Sequence, residues 1–182
     1  MVIVNHTFLF ADLVGYTAFT ADAGDDHAAD MAIAFHERVR ALLAEHLATE
    51  VKTIGDGIMV RCECPGHAMR LAVSIVAELG GHDGLLPVRA GVCTGTAVTR
   101  NGDWYGAAVN LASRLCAAAG EGEALACART RAYAPDLRGL DLVERGPLRL
   151  KNVPEPVTAY AWRPGRLRRK IRRRPAPLPV PA

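Results

Sequence analysis

Lys52-Thr-Ile-Gly-Asp56-Gly-Ile-Met-Val60 consists of two short apolar runs separated by a Gly-Asp-Gly turn. This pattern predicts a β-hairpin with Asp56 at its tip. The segment Phe8-Leu-Phe-Ala-Asp12-Leu-Val-Gly-Tyr-Thr17 likewise leads an apolar strand directly into an aspartate. Hard divalent ions prefer oxygen ligands, and two such ions can clamp both the attacking and the leaving oxygen of a phosphoryl group. Two carboxylates at the ends of adjacent strands therefore predict a two-metal phosphoryl-transfer site.

Three apolar stripes have the periodicity of an amphipathic helix. The first begins at Asp25 or Asp26, both suitable N-cap residues, and predicts a long helix that ends near Leu47. Pro65-Gly66 opens a second helix, because proline is well tolerated in the first helical turn. The third stripe predicts a helix over residues 107–119.

The remaining apolar segments predict strands. These are the hairpin strands 51–54 and 58–62, a second pair at 87–94 and 96–99 broken by Gly95, the segments 140–144 and 148–150 that flank Gly146-Pro147, and a last strand at 157–162. The polar composition of residues 100–106 predicts a loop. The order β-α-β-β-α-β, with further elements appended at the C-terminal end, predicts an α+β fold of the ferredoxin-like sandwich type.

Length and composition favour one domain. A chain of 182 residues, half of them apolar, is long enough for a single core. No apolar run approaches the roughly 18 residues of a membrane span, and the N-terminus lacks the basic start of a signal peptide. The five cysteines form no CxxC pair, which argues against a disulfide framework. These features predict a cytoplasmic protein.

The last twenty residues differ in composition from the rest of the chain. Residues 163–174 carry eight basic side chains and no acidic one, and residues 175–182 are rich in proline. The preceding part has 14 basic and 19 acidic residues, a net charge of about −5. We predict one domain over residues 1–162 and a basic, proline-rich disordered tail over residues 163–182. The tail contacts an anionic membrane surface, with nucleic acid the less favoured partner, or the acidic body of a partner subunit, or it is a solvated end without a partner.

Together these motifs resemble those of the catalytic domain of class III adenylyl and guanylyl cyclases, from about residue 6 to residue 162. The two aspartate segments are similar to that family's two metal motifs. Gly102-Asp-Trp-Tyr-Gly-Ala-Ala-Val-Asn-Leu-Ala-Ser-Arg114 is similar to its transition-state helix, and Arg149-Leu-Lys-Asn-Val-Pro-Glu-Pro-Val157 to the closing segment of bacterial members. The resemblance implies the class III nucleotide cyclase fold.

The resemblance also implies a set of metal and phosphate ligands. Asp12 and Asp56 would hold two divalent metal ions, Mg²⁺ or Mn²⁺, with the backbone carbonyl of Leu13 as a further ligand. The turn Gly15-Tyr16-Thr17 would present backbone N–H groups to the β- and γ-phosphates of the nucleotide, as loop-to-helix junctions do for anions. Lys151 is a further candidate for binding the phosphates.

In the family pattern, four other residues recognise the base and the transition state. Asn110 would orient the ribose, and Arg114, one helical turn later, would neutralise charge that grows on the α-phosphate. Lys52 and Asp103 match the adenine-recognising pair, in which the lysine donates to a ring nitrogen and the aspartate accepts from the N6 amino group. A guanine O6 facing the aspartate would be left unpaired, so ATP is the expected substrate.

In the family the active site lies between two catalytic domains, with metal ligands from one domain and base-binding and transition-state residues from the other. This chain carries both sets, which implies a head-to-tail homodimer with composite active sites. The leading hypothesis is an adenylate cyclase that converts ATP to 3',5'-cyclic AMP and pyrophosphate. The alternatives are a cyclase for another nucleotide, either GTP or a pyrimidine nucleotide, and a non-catalytic nucleotide-binding or dimerisation module.

Overall fold

A computed structural model describes residues 5–134, 137 and 139–164 of the chain. Its strands are β1 (Asn5–Leu13), β2 (Ala48–Ile54), β3 (Gly57–Cys62), β4 (Val88–Thr96), β5 (Val98–Arg100), β6 (Asp103–Tyr105), β7 (Ala124–Cys127), β8 (Val143–Leu148) and β9 (Val157–Trp162). Its helices are α1 (Tyr16–Ala23), α2 (Asp25–Leu43), α3 (Pro65–Ser74, prolonged by a π-helical turn at Ile75–Leu79), α4 (Ala107–Ala118) and α5 (Ala128–Tyr133).

Seven of the strands form one sheet in the order β2-β3-β1-β4-β7-β9-β8. Within it only β4 and β7 run parallel, and all other neighbours are antiparallel. Strand β1 lies between β3 and β4, so the residues at its end meet the β2–β3 hairpin on one side and β4 on the other. This mixed, mostly antiparallel sheet with helices confirms the predicted α+β fold.

The alternation of side chains along the central strands divides the core into two layers. Leu9 and Val60 point to the face covered by α2 and α3, where they pack with Phe35. Phe8 and Met59 point to the opposite face, where α4 packs. We call this second side the α4 face.

Helix α4 lies unusually close to the sheet because a glycine stands beneath it. A Cβ at Gly91 of β4 would lie 2.1 Å from the backbone nitrogen of Cys116 and 2.4 Å from the carbonyl oxygen of Ala112. Any side chain at position 91 would therefore push the helix away from the sheet. The position of α4 is thus fixed by contact between its backbone and that of β4.

Two predicted boundaries are wrong. Helix α2 ends at Leu43 rather than near Leu47, because residues 44–47 form a turn in which Leu47 has a φ of 48°. Strand β4 continues through Gly95 to Thr96 instead of breaking at the glycine. The glycine allows α4 to pack closely there, since a Cβ at position 95 would lie 3.2 Å from the Cβ of Ala108 and would need a small shift of the helix.

Other elements were missed or misplaced. The predicted loop 100–106 contains β6, which pairs with β5 as a separate two-stranded hairpin. Elements β7 and α5 follow α4 where no element was predicted. Gly146-Pro147 lies inside β8, at a register shift, rather than between two strands. Strand β8 is at the edge of the sheet, where a proline costs no ladder hydrogen bond.

The described chain ends at Pro164, so the predicted tail from residue 165 onward lies outside the described residues. Arg163, which the sequence placed in the tail, donates from Nε to Oε1 of the fully buried Glu123 at 3.0 Å. Arg145 Nε lies 3.6 Å from the same carboxylate oxygen. In the part of the chain that the structure describes, no helix combines the length and apolar character needed to cross a membrane.

Candidate active site

Asp12 and Asp56 come together because β1 and the β2–β3 hairpin are neighbours. Asp12 is the penultimate residue of β1, and Asp56 is the second residue of the two-residue turn between β2 and β3. Gly55 supplies the positive φ, 59°, that such a turn requires at its first position. Gly57 lies next to the Asp12 carboxylate, since a Cβ built at position 57 would lie 3.5 Å from Asp12 Oδ1, an ordinary contact distance. The two sequence motifs thus each contribute one carboxylate to a single pair.

The electrostatics of this pair show two carboxylates in close proximity. Burial, together with the hydrogen bond and the charge of the adjacent Asp12 carboxylate, raises the pKa of Asp56 to about 6, and hydrogen bonds from the backbone N–H groups of Asp56 and Leu13 oppose the shift. A half-buried pair of carboxylates is a hard-oxygen donor set whose mutual repulsion a divalent cation relieves. The residues present therefore fit the divalent ions that the sequence predicted.

Arg89 of β4 is a functional candidate that the sequence did not reveal. Its Nη2 and Nε lie 2.6 and 3.2 Å from Asp12 Oδ2, so the guanidinium holds one carboxylate oxygen while Oδ1 faces the β2–β3 turn. Arg89 also donates to the carbonyl oxygen of Ala117 at the end of α4, at 3.2 Å. The only available signal was a single charge within the apolar strand sequence of β4.

Two carboxylates alone do not complete a metal coordination sphere. Among the described residues no group of three or more His, Cys, Asp and Glu side chains is assembled as a metal site. Mg²⁺ sites that serve nucleotides commonly use one or two carboxylates and fill the other positions with phosphate oxygens and water. The arrangement around Asp12 and Asp56 fits that kind of site.

The turn that follows Asp12 leads into the N-terminus of α1. Gly15 is the N-cap of α1 with a φ of 83°, and the first N–H groups of the helix, from Tyr16 and Thr17, have no intrahelical acceptor. The Tyr16 hydroxyl donates to the carbonyl oxygen of Ala28 at 2.9 Å, which ties the Tyr16 side chain to α2. Only the backbone of Tyr16 is therefore available to a phosphate.

Lys52 and Asp103 are 51 residues apart in sequence and form a direct ion pair. Lys52 Nζ donates to Asp103 Oδ2 at 2.5 Å, and the backbone N–H of Trp104 donates to Asp103 Oδ1 at 2.8 Å. The Lys52 hydrogen bond is the main cause of a lowered pKa at Asp103, and the Trp104 N–H adds to it. The side chains remain 41% and 24% exposed, so both can still reach a ligand.

Trp104 fixes the β5–β6 hairpin that carries Asp103. Its ring lies 4.5 Å from His6 and 5.5 Å from Phe8, centroid to centroid, and the Arg61 guanidinium carbon is 5.8 Å from the ring centre. These contacts anchor the hairpin to β1 and β3 on the α4 face. The sequence named Asp103 but gave no indication of this support.

Asn110 and Arg114 lie on α4, four residues apart and on one side of the helix. Among the described residues neither side chain has a hydrogen bond or ion pair, although Arg114 is half-buried. Lys151 is exposed in the turn between β8 and β9, and among the described residues no hydrogen bond or ion pair joins its side chain to another candidate. The two α4 side chains are therefore free to meet a ligand.

The metal and base clusters share the α4 face. Asp12 alternates with the buried residues Leu9, Ala11 and Leu13 of the opposite layer and so points to the side of Phe8 and α4. Lys52 lies opposite Met59, which also belongs to the α4 layer. All candidate side chains on the sheet are thus on one side of it.

Residues 3–163 match the family of the adenylate and guanylate cyclase catalytic domain. The chain therefore belongs to this family, the class III nucleotide cyclases. It is 32% identical over 165 residues to the pH-sensitive adenylate cyclase of Mycobacterium tuberculosis, covering 89% of this chain and 41% of that protein. An uncharacterized protein of Mycobacterium tuberculosis is 38% identical over 173 residues, covering 95% of this chain and 44% of the relative.

Solved structures agree on the fold. An adenylate cyclase from Trypanosoma brucei, determined in its monomeric state, superposes with a TM-score of 0.80 at 24% identity, covering 89% of this chain and 90% of that one. An adenylate/guanylate cyclase/hydrolase from Silicibacter pomeroyi superposes with a TM-score of 0.75 at 24% identity, covering 88% and 97%. The chain spans less than half the length of the curated relatives described above.

Proposed function

We propose that this domain is an adenylate cyclase that converts ATP to 3',5'-cyclic AMP and pyrophosphate in a homodimer. The observation that carries the proposal is the meeting of Asp12 and Asp56, from separate motifs, on the same face of the sheet as the Lys52–Asp103 pair. A nucleotide requires both features, since one cluster suits its phosphates and the other suits its base.

The carboxylates of Asp12 and Asp56 would hold the divalent ions. When bound, these ions lower the pKa of the ribose 3'-hydroxyl and neutralise the triphosphate. The backbone N–H groups of Tyr16 and Thr17 bind the terminal phosphates. Arg114 stabilises the negative charge that develops on the α-phosphate, and Asn110 orients the ribose, so that the 3'-oxygen is held in line with the departing pyrophosphate. Little proton transfer is required of side chains.

Selection of ATP rests on the Lys52–Asp103 pair. A lysine donor and an aspartate acceptor match the ring nitrogen and the N6 amino group of adenine, whereas guanine presents O6 and a protonated N1 at the same edge. The pair is held ready by the Trp104 N–H bond to Asp103. In the free enzyme Lys52 and Asp103 pair with each other. When adenine binds, it accepts a hydrogen bond from the lysine and donates one to the aspartate in place of that pairing.

Composite sites in a homodimer are supported by the uneven covering of the sheet. Helix α4 packs over β1, β4 and β7, whereas at the β2–β3 end of the same face the described residues place the short β5–β6 hairpin and no helix. Ile54, Val98 and Tyr105, which flank Lys52 and Asp103 in sequence, are each 53% exposed. Exposed apolar side chains on and beside this hairpin indicate an interaction surface. A second copy of the chain, bringing its own α4, would cover this surface.

The direct test is product analysis with purified protein. ATP, GTP, CTP and UTP are incubated separately with Mn²⁺, and the products are separated by chromatography and identified by mass. We expect cyclic AMP and an equal amount of pyrophosphate from ATP, with far less product from the others. An Asp56→Asn protein is the control for contaminating cyclase. Equal turnover of all four nucleotides, or release of inorganic phosphate in place of pyrophosphate, would contradict the proposal.

A further inference from the structure

Cys93 and Cys127 place two thiols in direct contact at a site that the proposed reaction does not use. Cys93 lies on β4 and Cys127 on β7, one position beyond the registered pair Val92 and Ala126. Their sulfur atoms are 3.0 Å apart, and both residues are buried and unbridged. Neighbouring strands are about 4.8 Å apart, which is within the Cα separation that a disulfide spans, and closing the S–S bond to about 2.05 Å requires a movement of only about 1 Å.

A buried chain of hydroxyl groups ends at Cys127. Thr7 Oγ1 contacts Thr94 Oγ1 at 3.1 Å, and Thr94 Oγ1 contacts Thr130 Oγ1 at 3.1 Å. Thr130 Oγ1 lies 3.2 Å from Cys127 Sγ, and the backbone N–H of Thr130 donates to the same sulfur at 3.5 Å. Cys127 is therefore surrounded by donors that can stabilise a thiolate.

The two thiols have different acidities. The hydrogen bond donated by Cys93 lowers the pKa of Cys127 to about 5, and the hydrogen bonds from Thr130 act in the same direction. The same Cys93–Cys127 contact, together with burial, raises the pKa of Cys93. Cys127 is thus suited to be the nucleophile, and Cys93 is suited to be the thiol that attacks the sulfenic acid formed on Cys127.

The pair is reachable from solvent. Both cysteines line an open cavity of about 430 Å³ between the first turns of α4 and the start of β9, whose other walls include Leu111, Arg129 and Val157. A peroxide molecule is much smaller than this volume. The positive charge of Arg129 favours a thiolate in the cavity wall.

We propose that Cys93 and Cys127 form a reversible dithiol–disulfide site that is oxidised by small hydroperoxides. The Cys127 thiolate attacks one peroxide oxygen, the O–O bond breaks, and the departing oxyanion takes a proton and leaves as water or an alcohol. The resulting sulfenic acid is attacked by the Cys93 sulfur, the S–O bond breaks, and the hydroxyl leaves as water with the Cys93 proton. The two thiols lose two electrons and two protons, and the peroxide accepts them.

The site is placed where oxidation would reach α4 and α5. Cys127 is the N-cap of α5, and a disulfide makes its sulfur a weaker acceptor for the Thr130 N–H than a thiolate is. Cys93 packs in the layer beneath Ala108 and Ala112 of α4, the helix that carries Asn110 and Arg114. Oxidation should therefore lower turnover reversibly. That consequence rests on the proposed function, whereas the formation of the disulfide does not.

The experiment counts thiols and maps the bond in the full chain. After graded hydrogen peroxide, free thiols are titrated in denaturant and the protein is digested with trypsin without reduction. We expect five thiols to fall to three and to return to five with dithiothreitol. The cross-linked peptides should be residues 90–100 and 115–129. Because the second peptide also contains Cys116, the Cys116→Ser protein is the matched control and should keep the cross-link.

A second variant separates the two steps. In Cys93→Ser the resolving thiol is absent while a hydroxyl remains that can donate to Cys127, so the Cys127 sulfenic acid should be captured by dimedone. The proposal is overturned if the native protein retains five thiols at peroxide doses that oxidise free glutathione, or if both cysteines reach the sulfinic state without any cross-link. Turnover of ATP is measured on the same samples. If thiols are lost while turnover is unchanged, the redox site is supported and its influence on α4 is contradicted.

Discussion

Arg89 holds one oxygen of Asp12 and leaves the other open. Its Nη2 is 2.6 Å from Asp12 Oδ2, while Oδ1 faces the β2–β3 turn beside Asp56. A bound cation at Asp12 would therefore share its carboxylate with a fixed positive charge. The guanidinium acts as a counter-ion to the carboxylate pair and competes with metal for it.

We expect Arg89→Gln to bind metal more tightly and to fold less stably without it. Removing the competing charge should lower the half-saturating Mn²⁺ concentration about fivefold, which corresponds to about 1 kcal/mol for a partly exposed charge pair. Melting temperature without metal should fall, because Asp12 and Asp56 lose their counter-ion. Arg40→Gln, which breaks the exposed Arg40–Glu50 pair, is the control. An unchanged or higher Mn²⁺ requirement in Arg89→Gln contradicts the competition.

Asp12→Asn and Asp56→Asn should each lower kcat/KM for ATP by at least about 100-fold, because each removes a charged metal ligand without a change in side-chain volume. Pyrophosphate release under saturating Mn²⁺ is the measurement. Asp83→Asn, at a carboxylate that is 85% exposed, should retain normal turnover. Near-normal turnover in either Asp12→Asn or Asp56→Asn would contradict the assignment of these residues as metal ligands.

The double variant Lys52→Glu with Asp103→Gly should lose preference for ATP, because the donor is reversed and the acceptor is removed at the base edge. We expect the ratio of kcat/KM for ATP to that for GTP to fall at least about tenfold. Arg100→Gln, in the same hairpin, is the matched control, because among the described residues the Arg100 side chain donates to the neighbouring Thr99 carbonyl and to no other group. An ATP preference equal to that of the wild type would show that another part of the site reads the base.

Two truncations should behave differently although they differ by two residues. A chain that ends at Pro164 retains the Arg163 hydrogen bond to buried Glu123. A chain that ends at Trp162 leaves that carboxylate with the Gly120 N–H bond at 2.8 Å and, as its cationic contact among the described residues, the longer one to Arg145. Losing a hydrogen bond to a buried charge costs about 2 kcal/mol, so the shorter chain should melt about 4 to 8 °C lower. Thermal unfolding followed by circular dichroism is the measurement. Equal melting temperatures would show that Arg163 is not part of the fold.

Local sequence patterns predicted the elements that depend on local chemistry. The Gly-Asp turn at Asp56, the α4 helix and the strand that leads into Asp12 were all predicted because turn residues and apolar periodicity are short-range signals. The β5–β6 hairpin was missed because it is only three residues long on each side and is anchored by Trp104 against distant rings.

The missed functional residues share a different cause. Arg89 and Asp12 are 77 residues apart, and Cys93 and Cys127 are 34 apart. Their pairing depends on which strands become neighbours in the sheet, and spacing along the chain carries no such information. Gly146-Pro147 was interpreted as a break for the same reason, because the tolerance of β8 for proline comes from its place at the edge.

Mixing two inactive proteins tests the shared active site most directly. Asp12→Ala lacks a metal ligand and Arg114→Ala lacks the transition-state arginine, so neither homodimer should turn over ATP. A heterodimer confines both lesions to one site and leaves the other intact. With subunit exchange verified by co-purification of two different affinity tags, we predict that an equimolar mixture regains about a quarter of wild-type cyclic AMP production. Complete exchange with no recovered activity would contradict active sites built from two chains.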